Sequence, residues 1–183
     1  MCGSGSEYAA VKSAMASHIR AGRVELTGRV TGSEVREILQ QSHAFVLLSD
    51  FEGLPVSMLE AMDAGCVPIV YDMESGIPDV VRSGDNGLMV PNGDIAAVVE
   101  AVAGLRADRK AWCRMAGAAR QTIRDLKLTQ DDMSDAYAAV ISEVFAELEA
   151  GEYRRPASLA YRARVDGVLP PPAMYDPGSA PGI

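Results

Sequence analysis

A chain of 183 residues with 48% apolar side chains is one domain's worth, enough for a real core. Its formal charge of −8 argues against a nucleic-acid partner, because nothing is left to neutralise a phosphate backbone. Three widely spaced cysteines, Cys2, Cys66 and Cys113, and only two histidines argue against a disulfide framework or a zinc site and for a reducing compartment, and no apolar run approaches membrane-spanning length.

The chain opens on a glycine-rich turn, Cys2-Gly3-Ser4-Gly5-Ser6-Glu7, that leads into a helix predicted over 8–21. No leader peptide is read here, and no apolar stretch makes Cys2 a lipid-attachment site. A strand is expected at 24–28, then a turn at Gly28-Arg29-Val30. Thr31-Gly32-Ser33-Glu34 has the pattern of a capping box opening a short helix over 33–41. His43 stands at the boundary before a buried strand at 44–48, and with no Ser, Cys or carboxylate partner in view it forms no triad. Next come a loop and helix over 51–65, with Pro55 at the first helical position and Gly65 as a left-handed cap. The apolar run at 67–71 reads as a second buried parallel strand. A loop at 72–78 and a turn at Asn86-Gly87 precede a strand at 88–90. Asp94 is placed to cap a helix over 95–105, and two more are expected over 109–125 and 131–150. Trp112, Met115 and Ile123, then Met133, Tyr137, Val140, Ile141, Val144 and Phe145, recur at helical spacing and are expected to be packing stripes.

The composition divides the chain into a domain over 1–150 and a Pro/Gly-rich tail over 151–183. Pro156, Pro170-Pro171-Pro172, Pro177 and Pro181 can neither extend a helix nor supply a sheet centre, so the tail is expected to be partly disordered. The alternative is that Arg154, Arg155, Arg162 and Arg164 dock it on an acceptor domain or on anionic lipid headgroups. No internal repeat is present.

The chemistry is concentrated in Phe51-Glu52-Gly53-Leu54-Pro55-Val56-Ser57-Met58-Leu59-Glu60. A helix that follows a parallel strand points its N-terminus to the carboxyl end of the sheet, where ligands of open α/β sheets collect. Its first N–H groups are unpaired and the dipole is positive there, so a phosphate fits. Gly53 lets backbone approach a ligand, and Glu52 at the lip suits neutral hydroxyls rather than the phosphate. Glu60 shares a helix face with Val56, Ser57 and Ala64, while Met58, Leu59 and Met62 supply the apolar side. Together these describe a phosphate flanked by hydroxyl-rich groups, and a sugar nucleotide is the economical candidate.

Glu52 and Glu60, separated by seven residues in E-G-L-P-V-S-M-L-E-A-M-D-A-G and followed by C-V-P-I-V, resemble the donor-binding motif of the retaining glycosyltransferases of family four and its relatives. Those enzymes have the GT-B fold. V-E-L-T-G-R-V at 24–30, H-A-F-V-L-L-S-D at 43–50 and S-G-I-P-D-V-V-R-S-G-D-N-G-L-M-V-P at 75–91 resemble the family's flanking segments, in order, from about residue 2 to about residue 148. The resemblance implies an α/β fold: a Rossmann-like parallel sheet with flanking helices, ordered 3-2-1-4-5-6, the nucleotide-sugar-binding C-terminal half of GT-B.

It further implies that Glu52 acts as the catalytic and sugar-orienting carboxylate, with backbone amides at Gly53, Leu54, Val56 and Ser57 facing the diphosphate or sugar. Glu60 would accept hydrogen bonds from the ribose hydroxyls, and Gly28, Arg29 and Val30, with Glu34 beside them, would lie at the base. Asp79 stands where the family often has a supporting glutamate, and is given no direct contact. The donor is a nucleoside-diphosphate sugar, with no cofactor and no metal, and the acceptor is a glycan, lipid or small-molecule hydroxyl. The family's first strand, its Arg and Lys for the diphosphate, and its acceptor domain would precede Met1, so the domain is expected to be N-terminally truncated. Lys12, the only lysine before residue 110, is not the phosphate lysine by this register. The open strand edge this leaves predicts self-association, or a partner chain that completes the sheet. A cytoplasmic protein, peripheral to the inner face of a membrane in some settings, is expected. Two other readings stay open: a non-catalytic nucleotide-sugar-binding subunit or inactive remnant that needs a separate acceptor domain, and an epimerase of the same architecture.

Overall fold

The computed structural model of the chain describes residues 1–151; the expected tail, apart from Gly151, lies outside the described residues. Three parallel strands, β1 (Ala44–Leu47), β2 (Val67–Asp72) and β3 (Leu88–Pro91), form a sheet in the order β1-β2-β3. Ala44 is in register with Val67, and Ile69 with Leu88. Each crossover contains a helix: α4 (Val56–Ala64) joins β1 to β2, and the short α5 (Ile77–Val80), not expected from the sequence, lies between β2 and β3. Three consecutive strands each paired with the next is the arrangement the strand order 3-2-1-4-5-6 requires of its last three members.

The central strand β2 is buried from Val67 to Tyr71, which is why its sequence reads as an unbroken apolar run. Alternate side chains serve opposite faces. Val70 joins Met58, Leu59 and Met62 of α4 and Ala119 and Ile123 of α7 (Arg109–Asp125) in one cluster. Ile69 and Tyr71 join Val90 and Val98 of α6 (Ile95–Ala107) on the other face. Each fully buried Val, Leu, Ile or Met side chain among these contributes about 1.5–3 kcal/mol by leaving water. Two buried polar side chains, Asn86 and Thr122, join the β2–β3 connection to α7. Asn86 Nδ2 donates to Val80 O at 2.8 Å and to Thr122 Oγ1 at 2.9 Å, and its Oδ1 accepts from Arg82 N at 2.6 Å. The turn read from Asn86-Gly87 is thus also a core bond.

The N-terminal region departs from expectation in two places. The helix expected over 8–21 is two, α1 (Tyr8–Ala14) and α2 (Ala16–Arg20), broken at Met15 with ψ near 7°. The strand expected at 24–28 is absent: Cys2 and Gly28 form an isolated parallel bridge, with Gly3 N donating to Gly28 O and Thr27 N to Met1 O. A ladder needs several consecutive paired residues, and here one bridge pair forms. α3 (Gly32–Gln40) follows, with the capping box complete: Thr31 Oγ1 accepts from Glu34 N while Glu34 accepts from Thr31 N at 2.7 Å.

Residues 1–133 form one compact unit, and the chain from Ser134 belongs to a second. α8 (Gln130–Glu149) is as long as expected, but its stripe does not pack as expected. Tyr137, Val140, Ile141 and Phe145 are all more than half exposed, because no described element of their own unit lies across them. By contrast Met115 and Ile123 of α7 are buried as read, with Trp112 half-buried. No helix among the described residues is long and apolar enough to cross a membrane.

Candidate functional site

The carboxyl ends of β1 and β2 carry two loops that meet. β1 ends at Leu47 and runs through residues 48–55 into α4, while β2 ends at Asp72 and turns through Met73 to Gly76. Gly76 N donates to Gly53 O at 2.7 Å, which ties the loops together. A side chain at 76 would press on Leu54 Cβ at 3.1 Å and on Gly53 O at 3.2 Å, so glycine lets the two loops meet without displacing either. Around Gly53 the space is open, as a backbone that is to meet a ligand needs.

Pro55 is buried and serves as the N-cap, with ψ 113°, rather than as the first helical residue; its carbonyl accepts from Met58 N and Leu59 N. The reason is steric: its ring fixes φ near the helical value but leaves ψ free, and the extended ψ lets the buried ring close the loop. No side chain caps α4 and no acidic residue occupies its first turn. The N–H groups of Val56 and Ser57, at the positive end of the dipole, therefore have no acceptor among the described residues. At the far end Gly65 adopts the left-handed conformation, φ 88°, as expected.

Glu52 is half-buried at the lip and Glu60 exposed on α4. Neither carboxylate has a hydrogen-bond or ion-pair partner among the described residues, so both are free to accept from a ligand. Leu54 is turned onto Gly76, and Asp79 lies exposed on α5.

The other predicted group lies elsewhere. Arg29 and Val30 line a cavity of about 390 Å³ together with Cys2, Gly3, Ser4, Gly5 and Val35. Gly28, at φ 69°, makes the bridge behind it rather than the wall. The sequence showed the glycine-rich turn and the 28–30 loop separately; what it did not show is that one cavity joins them. Val35 was missed as a wall residue, since its spacing says only that it lies on α3. Glu34 does not belong to this cavity, because its carboxylate is committed to Thr31. The hydrogen bond from the Thr31 backbone, with the Thr31 hydroxyl second, holds the Glu34 carboxyl below the usual range. Among the described residues no three His, Cys, Asp or Glu side chains gather as a metal site would need.

Comparison with known proteins bears on the family and the fold. The family profile described as "Glycosyl transferases group 1" matches residues 1–122. A putative colanic acid biosynthesis glycosyltransferase of Salmonella typhimurium is 36% identical over 86 residues, which cover 44% of this chain and 21% of that protein. A glycogen synthase of Mycobacterium tuberculosis is 31% identical over 129 residues, 70% of this chain and 30% of that protein. The chain thus spans less than a third of the length of these relatives. Among solved structures, Anabaena HepE in complex with UDP-glucose superposes with a TM-score of 0.58 at 17% identity, over 75% of this chain and 40% of that one. The C-terminal domain of a group 1 family glycosyl transferase from Francisella tularensis gives 0.57 at 18% identity, over 67% of this chain and 64% of that one.

Proposed function

The chain belongs to the group 1 glycosyl transferases, and on that basis we propose that it forms the donor-binding part of an enzyme moving a sugar from a nucleoside diphosphate to an acceptor hydroxyl. The observation that supports this most is the pairing of two unpartnered carboxylates, Glu52 and Glu60, with the uncapped first turn of α4 between them. An anion held at that turn meets N–H groups of Val56 and Ser57 and a dipole equivalent to roughly half a positive charge. A sugar on one side then meets Glu52, and a ribose on the other meets Glu60.

In this reading the Glu52 carboxylate accepts from sugar hydroxyls and orients the anomeric carbon, while the Gly53 backbone comes close because nothing fills the space at its Cα. The amides of α4 stabilise the negative charge that grows on the departing diphosphate, a purely electrostatic contribution that needs no metal. The base and its ribose extend toward the cavity of Arg29 and Val30, whose glycine-rich rim offers backbone groups at close range. We assign retention of anomeric configuration, a cytoplasmic setting and an acceptor bound by a separate domain to the same reading.

The two carboxylates have separable roles, and binding measurements separate them. Glu52→Gln is expected to weaken a nucleoside-diphosphate sugar about tenfold while leaving the free nucleotide unchanged; Glu60→Gln is expected to weaken both, since a ribose hydrogen bond to a charged acceptor is worth about 1.5–3 kcal/mol. Equal binding of sugar nucleotide by wild type and both variants, all folded, contradicts the assignment.

A further inference from the structure

The described residues hold a second cavity, of about 370 Å³, at the opposite end of the sheet. Ala44, the first residue of β1, is part of its wall, whereas the Glu52 loop follows Leu47, the last; three residues of strand, about 10 Å, separate the two ends. Val102 and Leu105 of α6 make the rest of the apolar lining. Trp112 of α7 closes one side, held there by its indole N–H, which donates to His43 O at 2.8 Å, and by the His43 ring, tilted against it at 4.9 Å. Two guanidinium groups complete the lining: Arg106 in the last turn of α6, and Arg109, whose Cζ lies 5.4 Å from the Trp112 ring centroid.

The charges are out of keeping with the rest of the chain. The protein carries a formal −8, yet neither Arg106 nor Arg109 has a carboxylate partner among the described residues, whose one ion pair is Arg82 with Asp85. Acidic residues are abundant, yet none of the described ones forms an ion pair with either arginine. The volume lies in the range of small-molecule sites, and a largely apolar lining with a few convergent polar groups is how such sites are built. From an apolar wall, an aromatic face and two unneutralised guanidinium groups we infer that this cavity is a binding site for a small anion with a flat apolar body, an aromatic carboxylate, sulfonate or phosphate. The ring system lies against Trp112, Val102 and Leu105, and the acid group takes charge-assisted hydrogen bonds from Arg106 and Arg109. The site is distinct from the donor site in position and in every residue, so it neither needs nor tests the function proposed above.

The chain has one tryptophan, which makes the test direct. The full chain is titrated with 8-anilinonaphthalene-1-sulfonate, an aromatic sulfonate, and with the uncharged N-phenyl-1-naphthylamine, following Trp112 emission and probe emission together. The expected result is one saturable site per chain that quenches Trp112, binds the sulfonate at least tenfold more tightly than the uncharged analogue, and loses at least tenfold in affinity in Arg106→Gln/Arg109→Gln. Both arginines are exposed, so that variant is expected to keep the wild-type circular dichroism; should it unfold, the single change Arg106→Gln is read in its place. Glu60→Ala is expected to leave the titration unchanged. Equal affinity for the two probes, an unchanged affinity in the arginine variants, or binding that does not quench Trp112 overturns the proposal.

Discussion

A methyl group at position 65 would lie 2.6 Å from a terminal guanidinium nitrogen of Arg120, and the backbone there is left-handed at φ 88°. Arg120 occupies that place because its guanidinium donates to Asp63 O at 3.1 Å and to Ala64 O at 2.8 Å, satisfying carbonyls at the C-terminal end of α4. Gly65→Ala therefore adds two costs: left-handed strain of about 1–2 kcal/mol, and the displacement of hydrogen bonds worth about 0.5–1.5 kcal/mol each. In an Arg120→Ala background only the strain remains, so the same change is expected to cost less there; equal costs in a denaturant double-mutant cycle would show that Arg120 takes no part. Glu34 gives a pH dependence at the same scale. Its carboxyl is held low in the folded chain by the Thr31 hydrogen bonds, so its stabilisation is complete above the ordinary glutamate range. It is lost as pH falls through the folded value. The difference in Tm between wild type and Glu34→Gln is expected to be largest near neutrality and to shrink steadily on acidification; a difference that grows in acid contradicts the capping box.

Among the elements, β1 decides how the sheet behaves. It pairs with β2 alone among the described strands, and its Val46 is 45% exposed, with Leu48 just beyond it at 36%. An apolar edge strand with free backbone groups invites a further strand. Sedimentation velocity is expected to show association that rises with protein concentration and falls in Val46→Lys, whereas a monomer at all concentrations would mean the edge is protected. The elements legible in the sequence were those with a local cause. Asp94, Asp108 and Thr31 cap α6, α7 and α3 through their own side chains, and Gly65 ends α4 by its own conformational freedom. What was not legible depended on partners distant in sequence. The run at 24–28 has strand composition, but among the described residues only Gly28 within it finds a bridge partner. The apolar spacing on α8 is real, yet spacing alone does not supply a surface to pack on. Likewise the sequence put Glu52 on a loop and Glu60 on the helix that follows it, but did not show the bond from Gly76 that fixes Gly53, nor the cavity that joins Arg29 to the turn at 3–5.

At the scale of the whole molecule, an acidic chain with a group 1 glycosyl transferase sequence is proposed to take a diphosphate at the uncapped start of α4, beside the Glu52 and Glu60 carboxylates. This arrangement is the account's central claim, since net repulsion from a charge of −8 has to be overcome locally for a diphosphate to bind at all. Calorimetric titration of the chain with UDP, GDP and ADP, at fixed ionic strength and repeated with Glu60→Ala, tests it most directly. The account predicts saturable one-to-one binding of one of the three nucleotides, weakened about tenfold or more by the substitution. A folded wild-type chain that binds none of them, or binds one with an affinity that Glu60→Ala leaves unchanged, contradicts it.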